Sequence, residues 1–124
     1  MKVLICEAEP VLLSAIEFRL RKHGLQMVQS PLKDAQKNVE AMTPQLIILD
    51  IEHNPAESLQ FVQAIKEAQP KLPIIIVSPV ENEEELWVAL QAGAEDFVTK
   101  PFKLVELVIR VRKLLMKYPV TNPA

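Results

Sequence analysis

Short apolar runs rich in β-branched residues alternate with amphipathic helical patterns, and this alternation constrains the fold more than any other feature of the chain. Four runs stand out: Val3 to Cys6, Leu46 to Leu49, Ile74 to Val77 and the weaker Phe97-Val98, with Leu25 to Val28 a fifth, mixed candidate. Continuous apolar runs of this length suit parallel strands buried on both faces. Between them, Leu12, Leu13, Ile16 and Leu20 form one helical face, with Pro10 at its start and Gly24 just past its end. Phe61, Val62, Ile65 and Ala68 form another, closed by Pro70. Leu86, Ala89, Leu90 and Gly93 mark a third, after the acidic stretch Glu81 to Glu85, whose charge suits the positive end of a helix dipole. Leu104, Leu107, Val108, Val111, Leu114 and Leu115 make the last, while Asp34 to Met42 is a weaker helix with only Ala35, Val39 and Met42 to bury. Strand and helix thus alternate five times. That order predicts an α/β domain, a parallel sheet with helices on both sides, and right-handed crossovers leave few topologies for it.

Bulk properties narrow the class further. At 124 residues the chain is the size of one domain with a real core, and 49% apolar with 24% charged residues is ordinary for a globular protein. A formal charge of -2 gives no global argument for a nucleic-acid surface. The single cysteine, Cys6, lies inside an apolar run, cannot pair internally, and reads as a buried thiol in a reducing compartment. The apolar run before Glu7 is too short for a secretory signal and no run approaches membrane-spanning length, so a cytoplasmic protein without membrane contact is expected. The tail "YPVTNPA" has linker composition, so residues 118–124 are expected to begin a connection to a further domain.

In open α/β sheets, ligands bind beyond the carboxyl ends of the strands, near the point where strand order reverses. The residues just after the apolar runs are Glu7-Ala8-Glu9, Asp50, Ser78 and Lys100. Carboxylates hold a hard metal, lysine offsets phosphate charge and serine donates one hydrogen bond, so the set suits a phosphoryl group with a divalent cation. Plainer readings exist for each alone: Asp50 as a turn cap, Glu7 and Glu9 as helix-start acids. His23 and His53 are isolated and lack ligand spacing for a transition metal.

Three stretches, "PQLIILD" ending in Asp50, "PIIIVS" ending in Ser78, and "ALQAGAEDFVTKPFKLVELVIRVRKLL", resemble the response-regulator receiver domain of two-component signalling. The last is the most specific, with Gly-Ala, Asp, an aromatic residue, Lys-Pro-Phe and Glu-Leu all at family spacing. The resemblance runs from Lys2 to about Lys117, so residues 1–117 would be the receiver. It implies a flavodoxin/CheY-like (βα)5 domain, a doubly wound five-stranded parallel sheet of strand order 2-1-3-4-5. It also implies that Asp50 is the phosphoacceptor, forming an aspartyl phosphate from a phosphohistidine or a small phosphodonor. Lys100 would pair with the phosphoryl group, and its bond to Pro101 would be cis. Ser78 would turn inward to the phosphate, and Phe97 would be the switch aromatic that packs inward with it. Magnesium would be held by Glu7, Asp50 and the backbone carbonyl of Glu52. The implied partners are a cognate histidine kinase or phosphotransfer protein, with output through the face formed by the fourth helix, fifth strand and fifth helix. Such a domain is a signalling phosphoacceptor rather than an enzyme.

The chain departs from the family at telling places. The family ends its first strand with two adjacent acids, the second of which ligates the metal directly; Ala8 stands there, and a methyl group binds no magnesium. Losing one carboxylate should weaken a dication by on the order of 1–3 kcal/mol. His53-Asn54 and Glu57-Ser58 replace the family's Met-Pro and Asp-Gly, Pro55 falls one place late, and Pro79 replaces a small residue. The expectation is therefore a receiver with weakened magnesium binding, the alternative being a phosphorylation-independent pseudo-receiver that serves as an interaction module. Asp96, Arg110 and Arg112 resemble part of the network through which some receivers homodimerise ahead of a winged-helix DNA-binding domain. Leu86 and Gln91, however, occupy the positions of a basic residue and an acid in that network. Trp87 is expected to pack along its helix and Val88 to face outward. A haloacid-dehalogenase phosphatase, which also spaces two acids one residue apart after its first strand, is disfavoured because those acids are aspartates and the chain has no room for a cap.

Overall fold

A computed structural model of the chain describes residues 1–7 and 9–117. Five strands alternate with five helices: β1 Lys2–Cys6, α1 Pro10–Arg21, β2 Gln26–Gln29, α2 Leu32–Met42, β3 Leu46–Asp50, α3 Pro55–Ala68, β4 Ile74–Pro79, α4 Glu83–Gln91, β5 Asp96–Lys100 and α5 Leu104–Lys117. The strands form one parallel sheet in the order β2-β1-β3-β4-β5.

The period-2 alternation of a strand divides the core into two layers. Val3, Ile5, Leu46, Ile48, Ile75, Val77 and Val98 point toward α1 and α5, where Leu13, Ile16, Leu107 and Val111 cover them. Leu4, Cys6, Ile47, Leu49, Ile74 and Ile76 point the other way, under Val39, Phe61, Val62, Ile65, Leu86 and Ala89. The middle strands are dry on both faces, which explains their unbroken apolar runs. The edge strands are not. β2 begins one residue later than the run Leu25 to Val28, because Leu25 packs into the core as the chain enters the strand. Only Val98 of β5 is buried, hence the weakness of that run.

Details of the helices differ from the sequence reading. Ala68 is exposed at the end of α3, and Gly93 lies beyond α4 rather than on its face. Trp87 does not pack along its helix: it is 56% exposed, with Val88 beside it also facing outward. Five consecutive apolar residues, Leu86 to Leu90, leave the buried face of so short a helix undetermined until the sheet is in place. No helix among the described residues is long and apolar enough to cross a membrane. The expected linker, residues 118–124, lies outside the described residues.

Gly93 marks a close approach. Its φ is +120°, and a Cβ there would stand 2.9 Å from Cγ of Lys66. Lys66 cannot easily yield, since its ammonium bonds to Glu95 and to the carbonyls of Pro70 and Leu72. Gly24 has φ +73° but faces open space. Gly93→Ala should therefore lower stability by about 2–4 kcal/mol and Gly24→Ala by about 1 kcal/mol, read as urea-unfolding midpoints.

Candidate phosphoacceptor site

Strand register assembles the site. Cys6 pairs with Leu49, so the next residues, Glu7 and Asp50, emerge side by side where β1 and β3 end. β1 lies between β2 and β3, which makes this the point where strand order reverses. Asp50 follows Ile48 and Lys100 follows Val98 at strand spacing, so both continue the α1–α5 side of the sheet to its carboxyl edge. Ser78 follows Ile76 on the opposite parity, the one that Phe97 shares through its pairing with Ile76.

The carboxyls of Glu7 and Asp50 are each only 4% exposed, and they are hydrogen-bonded to each other. The Lys100 ammonium lies 2.5 Å from Asp50 Oδ2, 3.1 Å from Glu52 Oε2 and 3.4 Å from Glu7 Oε2. Two backbone amides complete the arrangement: Glu52 N–H donates to Asp50 Oδ1 at 2.8 Å, and Glu9 N–H donates to Glu7 Oε1 at 3.1 Å. An open cleft of about 560 Å³ adjoins the pair, bordered by Cys6, Gln29, Ser30, His53 and Asn54 as well as the two acids.

These surroundings drive the two acids apart in acidity. Burial, followed by the bond to Asp50, pushes Glu7 up to about 7. Burial also disfavours the Asp50 carboxylate, but hydrogen bonds from Glu7, Lys100 and the Glu52 amide outweigh it and hold Asp50 below the usual carboxylate range. For Lys100, burial is likewise outweighed, here by Asp50 and Glu52, and its ammonium is held more firmly than in water. Of the two acids, Asp50 is thus the one favoured in its ionised form, the form a nucleophile requires, and Glu7 the one that holds a proton toward the neutral range.

The donor set suits a hard dication in part. Glu7, Asp50 and the Glu52 carbonyl offer oxygen ligands, which magnesium supplements with retained waters. Among the described residues, no three His, Cys, Asp or Glu side chains converge as a metal cage. Position 8, where alanine stands, lies outside the described residues.

The remaining candidates are more dispersed. The Ser78 hydroxyl is fully buried and donates to the Pro79 carbonyl at 3.1 Å. Phe97 faces solvent. The Lys100–Pro101 peptide is cis. Away from the cleft, both Asp96 carboxylate oxygens accept from Arg110 Nη1 at 2.8 Å within the same chain, Oδ1 also accepts from the Phe97 N–H, and Glu106 accepts from Arg110 Nη2 at 3.3 Å. Arg112 is exposed on α5 and is not part of that pair. Sequence reasoning missed the side chain of Glu52, having assigned only its carbonyl. No local signal could have found it, because its partner is 48 residues away on another strand.

A five-stranded doubly wound domain with an acid pair and a lysine at its switch point has the architecture of a two-component signalling domain. The chain belongs to the response regulator receiver domain family, whose model matches residues 3–112. Phosphorylation on aspartate is expected of this family, its members generally bind magnesium, and they act as signalling domains. The chain is 30% identical over 123 residues, 97% of its length, to the probable transcriptional regulatory protein TcrX of Mycobacterium tuberculosis, covering 52% of that protein. It is 24% identical over 99% of its length to the alkaline phosphatase synthesis transcriptional regulatory protein PhoP of Bacillus subtilis, again covering 52%. The chain thus spans about half the length of these curated relatives. Among solved structures, the receiver domain of the TMAO respiratory system response regulator TorR superposes with a TM-score of 0.87, with 29% identity, covering 94% of this chain and 98% of that one.

The acidity of Glu7 has a consequence for stability. Its proton is bound more tightly in the folded than in the unfolded chain, so this group's contribution is fullest below about pH 4.5 and fades as pH rises through about 7. Without divalent cations, the wild type should lose about 1–3 kcal/mol between pH 4.5 and pH 8 through this group. Glu7→Gln, whose amide can still donate to Asp50, should flatten that decline in urea titrations at the two pH values.

Proposed function

We propose that Asp50 is the phosphoacceptor of this receiver, and that it works with weakened magnesium. The observation that supports this most directly is the buried, ionised Asp50 carboxylate held at the open edge of the sheet against Lys100. An Asp50 oxygen would attack the phosphorus of a phosphohistidine on a kinase or phosphotransfer protein. As the O–P bond forms, the P–N bond breaks, and the imidazole leaves with the electron pair and takes up a proton. Lys100 would meet the oxygens of the incoming phosphoryl group. Glu7, Asp50 and the Glu52 carbonyl would hold magnesium, which when bound spreads the charge of the transferring group.

The response of the fold would pass through Ser78 and Phe97. To reach a phosphoryl group the Ser78 hydroxyl must leave the Pro79 carbonyl, and Phe97, now outward on β5, would turn into the space this vacates. The signal would then leave through the α4–β5–α5 face, where Trp87, Val88 and the Asp96–Arg110 pair lie, with Arg112 nearby on α5. A homodimer through this face is one outlet. The names of the relatives, and the half of their length that this chain covers, support a transcriptional output domain that binds DNA beyond residue 124 of the present chain.

One observation favours a second reading, a pseudo-receiver that binds partners without phosphate: Lys100 already has three carboxylate neighbours, so the site is electrostatically satisfied as it stands. Acetyl phosphate with magnesium, followed by intact-mass measurement, separates the two. The expected result is a gain of one phosphoryl group that Asp50→Asn abolishes; no gain even at high magnesium favours the pseudo-receiver. Restoring an acid with Ala8→Asp should tighten magnesium by about tenfold or more in a calorimetric titration. An unchanged affinity would remove position 8 as the cause of weak binding.

A further inference from the structure

We infer that the Glu52 side chain is a positioning residue that restrains phosphorylation by occupying Lys100. This rests on the reading of Asp50 as the phosphoacceptor and adds to it the group that sets how readily the site accepts a phosphoryl oxygen.

An ammonium has three N–H donors. Around Lys100 stand three carboxylates, those of Asp50, Glu52 and Glu7, at 2.5, 3.1 and 3.4 Å. Asp50 and Glu7 are enclosed, each 4% exposed, and each is further tied by a backbone amide. Glu52 differs: its side chain is 38% exposed, so it alone can swing into water at low cost. When a phosphoryl group arrives on Asp50, its oxygens need a donor from Lys100, and the donor directed at Glu52 is the one that can be released. Until then the Glu52 carboxylate also faces an incoming anion with like charge.

Backbone and side chain of this residue therefore act in opposite senses. The Glu52 amide steadies Asp50 through its 2.8 Å bond, whereas the carboxylate competes for the lysine that Asp50 needs. A different role for the side chain, standing in for the ligand missing at position 8, is separable from this one by experiment. The competing role makes the opposite prediction. If Glu52 supplied a metal ligand, neutralising it would slow the reaction; if it holds Lys100, neutralising it speeds the reaction.

Wild type and Glu52→Gln, each with and without Asp50→Asn, would be incubated with acetyl phosphate at one fixed magnesium concentration and followed by intact mass over time. In this reaction an Asp50 oxygen bonds to phosphorus as the P–O bond to acetate breaks, and acetate departs with the electron pair. Glu52→Gln should gain its phosphoryl group about two- to tenfold faster, the range of a partly exposed ion pair plus like-charge repulsion. The difference should shrink as salt is raised, which a merely structural role of Glu52 would not produce. Equal rates, a slower variant, or a gap insensitive to salt would each overturn the inference while leaving Asp50 as acceptor. No phosphoryl gain in either protein would overturn both readings, as would a gain that survives Asp50→Asn.

Discussion

The pairing of β1 with β3 sets Cys6 against Leu49 and so forces two carboxylates, Glu7 and Asp50, to leave the sheet side by side. Everything else at the functional end answers that juxtaposition. Below the pair, both faces of the sheet are apolar and dry, so the charges can be relieved only sideways or upward. Sideways, β5 delivers Lys100 from beyond β4; upward lies the open cleft. Like charges this close and this enclosed do not both ionise readily, and burial raises Glu7 while hydrogen bonds hold Asp50 low.

This balance leaves the site preformed, with its charges already paired. Lys100 stabilises the Asp50 carboxylate, yet the same ammonium is shared with Glu52 and Glu7. A dication would displace the proton from Glu7 and relieve the lysine of part of its load. On the proposed reading, alanine at position 8 would make that relief smaller and leave more of the electrostatic work to the surrounding side chains.

The far side of β5 shows how the site could be heard elsewhere. Ser78 and Phe97 share one strand parity, while Asp50 and Lys100 belong to the other. On the α5 side of β5, Arg110 is engaged by Asp96 and Glu106 of its own chain, and on α4 Trp87 is left in solvent. A partner on this face would meet an aromatic side chain already exposed and an ion pair that would have to open.

By itself the sequence determined the α/β alternation, the central strands and the identity of the acids and lysine at the strand ends. These were legible because a strand buried on both faces must be apolar throughout, so β1, β3 and β4 announce themselves and the polar residue that ends each run stands out. The edges were less legible: β2 was displaced by one residue, and the outward Trp87 was expected to pack, because half-covered elements obey local pattern only weakly. The tertiary structure alone decided that Glu7 is pushed up and Asp50 held down in acidity, that Ser78 bonds to the Pro79 carbonyl, and that Glu52 reaches Lys100. Those outcomes depend on distances between residues on different strands and on how much water remains around them. Neither quantity is encoded in any local stretch; both appear only when the sheet closes in register.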